Sequence, residues 1–247
     1  MRAPLLGIYA LQAEWRALMD PATPVEVAGI KLPWWRDEVR RMAAGTPLHP
    51  ITRYLSELPN VPNVSLGILE GAVEATAAQV AGVPLERAGE LAHHANALYG
   101  TPLLVAVQLA HPGDAGPARA CIEALAAAEY LARAIADYVR DARAGRVPFP
   151  VDELLAAGIE NDDLVADRAP PRLQAYLDAQ RRRAAEYFSA APRALLAAER
   201  PALRHLAVLA ALGAAHLHGR RNPSSADFRL ADLYNAWNAA RRAAAAR

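Results

Sequence analysis

Two aspartates near the C-terminal end of a long helical pattern are the residues best placed to do chemistry. Asp137 and Asp141 are four residues apart, and helix residues at that spacing share one face. Two bare carboxylates there repel each other by about 0.2–0.5 kcal/mol in an isolated helix, and the negative end of the helix dipole disfavours them further. Because Mg²⁺ bound between carboxylates and phosphate oxygens would relieve this repulsion, we predict a metal-linked phosphate site at the pair.

The alternative for this pair is structural. Arg133, Arg140 and Arg143 lie within about one turn of the aspartates and would pair with them on a solvated helix face. The spacing alone favours this ordinary arrangement, because two aspartates four residues apart are a weak motif. Both interpretations stay open at this point.

Other residues with reactive side chains give weaker signals. His93 and His94 are adjacent and therefore point in different directions from a helix, so they do not form a metal pair. Cys121 lies on the apolar side of its helix, which predicts a buried and inert thiol. The sequence contains no glycine-rich phosphate loop and no Cys-x-x-Cys pair.

Helices must position these residues, because apolar residues recur at helical spacing and do not alternate with polar residues as they do in strands. Gly45 and Gly145 are placed to end two of the helices, and Pro33 predicts a kink inside one. Ser225 or Asp227 would cap the last helix after a loop at 219–226. The expected helices lie at 3–19, 25–44, 49–58, 65–81, 84–110, 118–144, 171–190, 192–198 and 201–218, with a short helix and loop at 151–171 and a helix at the C-terminus. We expect an all-α fold with one domain over residues 1–247.

Composition agrees with a helical, water-soluble chain and excludes several classes of protein. Alanine accounts for 59 of the 247 residues, and 53% of the residues are hydrophobic, which argues against disorder. A net charge of +1 creates no strong positive electrostatic potential that would attract the phosphates of nucleic acid, so we expect no nucleic-acid partner. The single cysteine fits a reducing compartment, and no apolar run approaches the ~20 residues of a membrane span. We therefore expect a cytoplasmic protein, with contact to a membrane surface as an alternative.

Several segments, in order along the chain, resemble one known family. The residues Asp137–Pro150 read D-x-x-x-D followed by Gly-Arg-x-Pro, and Lys31–Glu38 contains Leu-x-Trp-Trp-Arg. The matching segments further along are Val151–Leu154, Asn161–Leu164, Leu230–Leu233 and Trp237. Together they resemble the squalene/phytoene synthase family over nearly the whole chain. The resemblance implies an isoprenoid-synthase-like helical bundle around a central apolar cavity.

The resemblance also implies a chemistry. Family members condense two prenyl diphosphates head to head, with Mg²⁺ held by two aspartate-rich helices that face each other. Asp137 and Asp141 would be the metal and diphosphate half-site on one helix, with Arg140 and Arg146 as further phosphate contacts. The metal would promote departure of pyrophosphate by neutralising its developing charge.

The first aspartate-rich motif departs from the family pattern. Arg16 stands at the first acidic position, and only Asp20 keeps an acid, so a cation replaces a metal ligand. We expect Arg16 to reach Asp137 or Asp141 and to act as an internal counter-ion. Full condensation activity is not implied for such a chain. The alternative is a non-catalytic scaffold of the same fold, which resembles the assembly factors of respiratory complex I.

Overall fold

The computed structural model describes residues 2–111, 115–218 and 230–245, and these residues form helices and turns without any strand. This confirms the predicted all-α fold class. The helices are α1 (Arg2–Met19), α2 (Val25–Ala43), α3 (Pro50–Ser56), α4 (Glu70–Val80), α5 (Ala88–Ala95), α6 (Thr101–Ala110), α7 (Gly116–Arg143), α8 (Val151–Ala156), α9 (Asn161–Val165), α10 (Pro171–Ala190), α11 (Arg204–His218) and α12 (Leu230–Ala245). None of the described helices is long and apolar enough to cross a membrane.

Two expected helices differ in the structure: one is divided and the other is shorter. The expected helix at 84–110 is divided into α5 and α6 by a π-helical turn at Asn96–Gly100. Pro102 follows this turn and has no N–H to donate to the preceding turn, which explains why regular α-helix stops there. The expected helix at 192–198 is only a 3₁₀ turn at Ala191–Ala194. The predicted loop at 219–226 and the cap at Ser225 or Asp227 lie outside the described residues.

The described chain comprises two compact units. Unit 1 lies within residues 1–83 and 97–116, and unit 2 lies within 84–96 and 117–247. The single domain expected from the sequence stays a prediction.

Unit 1 is organised around an aromatic cluster between α1, α2 and the start of α3. Trp15 meets Trp35 edge to face with ring centroids 6.2 Å apart, and Trp35 meets the His49 ring at 4.8 Å. Trp15 and Trp35 are buried, whereas Trp34 is 39% exposed, so only one member of the Trp34–Trp35 pair packs fully into the core. Pro33 is accommodated inside α2.

Unit 2 is built around the buried face of α7. This helix buries twelve residues, among them Cys121, Leu125 and Leu131. Phe149, in the loop that follows α7, is fully buried and contacts the Tyr176 ring of α10 edge to face at 5.4 Å. The loop is therefore fixed by the core of the unit, which positions the residues between α7 and α8.

Candidate functional site

The C-terminal half of α7 carries a row of charged residues at four-residue spacing. Glu129, Arg133, Asp137 and Asp141 follow one another along the same helix face, and their side chains are 26%, 17%, 15% and 14% exposed. Arg133 Nε donates to Glu129 Oε1 at 3.0 Å. The row is mostly buried, so Asp137 and Asp141 do not lie on a solvated face.

A glycine turn at the end of α7 brings Arg146 back to Asp141. Gly145 has φ of +74°, a conformation that glycine adopts without a Cβ penalty. The Arg146 N–H donates to the Asp141 carbonyl at 2.9 Å and the Gly145 N–H donates to the Ala142 carbonyl at 3.0 Å, which is a Schellman motif. As predicted, Gly145 ends the helix. The same turn lets Arg146 Nη2 donate to Asp141 Oδ1 at 2.9 Å.

Each aspartate of the pair has a guanidinium group beside it. Arg140 Nη2 lies 3.1 Å from Asp137 Oδ1, and Arg146 pairs with Asp141. Burial nevertheless raises the pKa of Asp141, and the neighbouring Asp137 charge raises it further against the opposing effect of Arg146 and Arg140. The repulsion that the sequence predicts for this pair is therefore present, and two guanidinium groups reduce it.

The segment after Arg146 is held by hydrogen bonds from α7 and α10. The Tyr130 hydroxyl donates to the Pro148 carbonyl at 3.0 Å. On α8, the Glu153 carboxylate accepts hydrogen bonds from the Tyr176 hydroxyl at 2.9 Å, Gln180 Nε2 at 2.8 Å and Arg183 Nη1 at 3.0 Å. Burial and the Glu153 charge raise the pKa of Tyr176, so its hydroxyl stays protonated as a donor. These contacts fix the chain that follows Arg146.

The two residues of the degenerate first motif lie at the end of α1 in unit 1. The Arg16 guanidinium carbon lies 5.5 Å from the centroid of the Tyr99 ring, within cation–π range. Asp20 Oδ1 accepts a hydrogen bond from the Ala22 N–H at 2.9 Å, which caps the turn after the helix. Asp137 and Asp141 belong to unit 2. The expected pairing of Arg16 with them stays a prediction.

One buried carboxylate was not singled out by the sequence pattern. Glu38, on α2, is fully buried, and its Oε1 accepts hydrogen bonds from the Leu48 and His49 N–H groups, each at 2.8 Å, and from the Thr52 hydroxyl. Its Oε2 accepts from Arg41 Nε at 2.9 Å. Burial raises the pKa of Glu38, but the hydrogen bonds from Thr52, His49, Arg41 and Leu48 outweigh it and lower the pKa to about 2. Glu38 is thus an ionised structural anchor for the loop between α2 and α3.

Cys121 is fully buried on α7, as predicted. Burial raises the pKa of its thiol to about 12, which is three units above the ordinary value of 9.0.

We expect the thiolate fraction of Cys121 at pH 8 to be about 1,000-fold lower in the folded protein than in the unfolded chain. A thiol reagent should therefore modify Cys121 in urea but hardly in buffer, and equal rates in the two conditions would contradict the expectation.

No cluster of three or more His, Cys, Asp and Glu side chains that could hold a metal ion is found among the described residues. Asp137 and Asp141 are two carboxylates one helical turn apart on α7, which is fewer than such a cluster needs.

Comparisons with known proteins agree with the helical fold. The chain is similar to a solved dehydrosqualene synthase, described in complex with ligand, at 16% identity and a TM-score of 0.71, over 98% of this chain and 87% of that chain. It is also similar to the squalene synthase HpnC from Alicyclobacillus acidocaldarius, at 21% identity and a TM-score of 0.69, over 89% of this chain and 83% of that chain. No curated protein matches the sequence. The family model for squalene/phytoene synthase matches residues 1–231. Since this match extends over most of the sequence, the chain belongs to the squalene/phytoene synthase family.

Proposed function

We propose that this protein binds a prenyl diphosphate through Mg²⁺ held at Asp137 and Asp141. The family is one of isoprenoid biosynthesis, which supports a prenyl diphosphate as the substrate class. The observation that carries the proposal is the pair itself: two mostly buried carboxylates stand one helical turn apart, and the pKa of one of them is raised.

The donor groups fit the ion. Mg²⁺ prefers oxygen ligands and is usually held by one or two carboxylates together with substrate phosphates and waters. Asp137 and Asp141 supply two such carboxylates, and a divalent cation would favour the ionised form of Asp141, which burial and the neighbouring Asp137 charge disfavour. A bound ion would neutralise the charge that develops on a departing diphosphate.

Arg140 and Arg146 are the proposed phosphate contacts of the chain itself. A guanidinium binds phosphate through paired N–H groups, so either residue can orient a diphosphate while remaining close to its aspartate. Arg140 is 45% exposed and accessible to a ligand from solvent. Arg146 is only 8% exposed, and its Nε is buried without a hydrogen-bond partner among the described residues, so a phosphate oxygen that reached this atom would satisfy an unpaired donor.

A non-catalytic scaffold of the same fold is the second candidate. The observation that favours it is Arg16, which puts a guanidinium on α1 at a position where family enzymes carry an acid. Head-to-head condensation needs metal at both aspartate-rich motifs. Binding of a diphosphate at the α7 half-site needs metal only at Asp137 and Asp141. We therefore propose diphosphate binding for this protein; a search for a condensed product tests whether the complete reaction also takes place.

Thermal unfolding with farnesyl or geranylgeranyl diphosphate tests the proposal. At about 100 times its Kd, a ligand should add about 2.7 kcal/mol of stability, which corresponds to a rise in Tm of roughly 5–10 °C for a chain of this size. We expect this rise with Mg²⁺ and not with a chelator. Asp137→Asn/Asp141→Asn should abolish it.

Asp178→Asn is the matched control for these variants. Asp178 pairs with Arg181 at i+3 on α10, as Asp137 pairs with Arg140, but its side chain is 60% exposed. The control should keep the full Mg²⁺-dependent rise in Tm. A rise that survives both the chelator and the double substitution would refute the half-site, and release of pyrophosphate with a condensed product would refute the scaffold.

A further inference from the structure

A cavity of about 550 Å³ lies within unit 2, among α10, the 3₁₀ turn at 191–194, α11 and α12. Its volume falls in the range of about 300–1,000 Å³ that is typical of small-molecule sites. None of its lining residues comes from α7 or from the loop with Arg146. The cavity is therefore separate, in residues and in chemistry, from the aspartate pair.

The walls of the cavity are apolar and firmly packed. Alanines from all three long helices form much of the lining, and Phe188 and Leu195, which are 3% and 2% exposed, add larger apolar side chains to it. A Cβ atom on Gly213 would lie 2.3 Å from two carbons of the Phe188 ring. The glycine on α11 thus makes room for this ring, which holds one wall of the cavity in place. Such walls favour a hydrocarbon chain, because burying each methylene group against them removes apolar surface from water.

Three arginines also line the cavity and give it a positive charge. They are Arg193 on the 3₁₀ turn, Arg200 before α11, and Arg242 on α12. Arg200 Nε donates to the Leu195 carbonyl at 3.2 Å, which directs its side chain along the wall. None of the three forms an ion pair with another residue in the part of the chain that the structure describes, and their acidic neighbour Glu199 is not a lining residue. An anion with phosphate or carboxylate oxygens would match these guanidinium groups.

We infer that this cavity binds one molecule of a single-chain anionic amphiphile, with the hydrocarbon chain against the alanines and Phe188 and the anionic head at the arginines. Apolar walls alone would accept any hydrocarbon, and arginines alone would accept any small anion. Their combination in one cavity selects a molecule that carries both parts. Binding needs no metal ion, because the arginines already supply the positive charge.

Calorimetric titration with dodecyl phosphate, below the concentration at which it forms micelles and with a chelator present, tests the inference. We expect one site per chain, and at least tenfold weaker binding of dodecanol. Inorganic phosphate should give no heat at the concentration that saturates the site with dodecyl phosphate. Equal affinities for dodecyl phosphate and dodecanol would overturn the role of the arginines.

Matched variants locate the bound molecule. Arg193→Gln/Arg242→Gln should weaken dodecyl phosphate binding at least tenfold, whereas Arg241→Gln, an exposed neighbour on α12 outside the lining, should change it less than twofold. Ala239→Phe fills the cavity and should also weaken binding, whereas Ala240→Phe, on the same helix but outside the lining, should not. Circular dichroism confirms that each variant is folded.

Two further results would overturn the inference. One is binding to vesicles of anionic phospholipid without binding of the monomeric amphiphile, which would indicate a surface contact. The other is dodecyl phosphate binding that requires Mg²⁺ and is lost in Asp137→Asn/Asp141→Asn, which would place the molecule at the aspartate pair. That last result would leave the proposed function standing, so failures of the two proposals are distinguishable.

Discussion

Replacing Glu38 with alanine should destabilise the fold by about 3–5 kcal/mol at pH 7, because it removes the acceptor of four hydrogen bonds from a fully buried position. The Leu48 and His49 N–H groups and the Arg41 guanidinium would lose their shared partner. The loop between α2 and α3 depends on these contacts for its path. Urea unfolding followed by circular dichroism measures the loss.

The effect of Glu38 should also depend on pH. Its folded pKa is about 2, below the ordinary 4.5, so the stability it contributes is fully present above pH 4.5 and is lost as pH falls through 2. The difference of about 2.5 pKa units corresponds to about 3 kcal/mol. Glu38→Gln should therefore cost about 3 kcal/mol at pH 7 and little at pH 2.

Asp37→Asn is the control for the Glu38 variants. Asp37 is the neighbouring residue on α2, is 60% exposed, and lies 3.7 Å from Arg40. An exposed pair of this kind contributes at most about 1 kcal/mol. If Glu38→Gln costs no more stability than Asp37→Asn at pH 7, Glu38 does not anchor the loop between α2 and α3.

Arg146→Ala should destabilise the protein by about 3–5 kcal/mol at pH 7, because it leaves the Asp141 carboxylate in a mostly buried position without its closest cation. Burial already raises the pKa of Asp141, and loss of Arg146 should raise it further. Since a raised folded pKa makes ionisation of Asp141 unfavourable to folding, the variant should lose more stability as pH rises from about 4 to 7. Urea unfolding at pH 4, 5.5 and 7 measures this trend.

Two further variants separate charge from shape at Arg146. Arg143→Ala removes an exposed arginine three residues earlier and should change stability by no more than about 0.5 kcal/mol. Arg146→Ala/Asp141→Asn removes both charges and should recover much of the loss of Arg146→Ala. A double variant as unstable as Arg146→Ala would show that packing of the arginine, and not the ion pair, carries the effect.

The end of α7 was predictable from sequence because local rules decide it. Gly145 ends the helix in the structure as the pattern indicates, and the Schellman hydrogen bonds follow from its positive φ. The division of 84–110 was not predicted, since apolar periodicity continues through the π-helical turn and masks the effect of Pro102. Apolar periodicity in a sequence indicates which helix residues are buried. It does not indicate where the hydrogen-bonding pattern changes from α-helical to π-helical.

The candidate site was predictable in part for the same reason. Sequence spacing identifies Asp137 and Asp141 as a pair and Arg140 as an i+3 partner, both of which depend only on helix geometry. The pairing of Arg146 with Asp141 depends on the turn that follows the helix. The role of Glu38 could not be predicted from the sequence, because its partners Leu48, His49 and Thr52 are 10 to 14 residues away. They contact Glu38 only because the loop between α2 and α3 brings them back to it.

Paramagnetic NMR with Mn²⁺ in place of Mg²⁺ tests the central claim most directly, because it locates the ion on the chain. In the presence of farnesyl diphosphate, the proposed half-site predicts that substoichiometric Mn²⁺ broadens the resonances of Asp137, Asp141 and their helix neighbours first. The same addition to Asp137→Asn/Asp141→Asn should leave those resonances sharp. Broadening centred on another carboxylate, such as Glu153, or broadening that persists in the double variant, would contradict a metal-linked diphosphate site on α7.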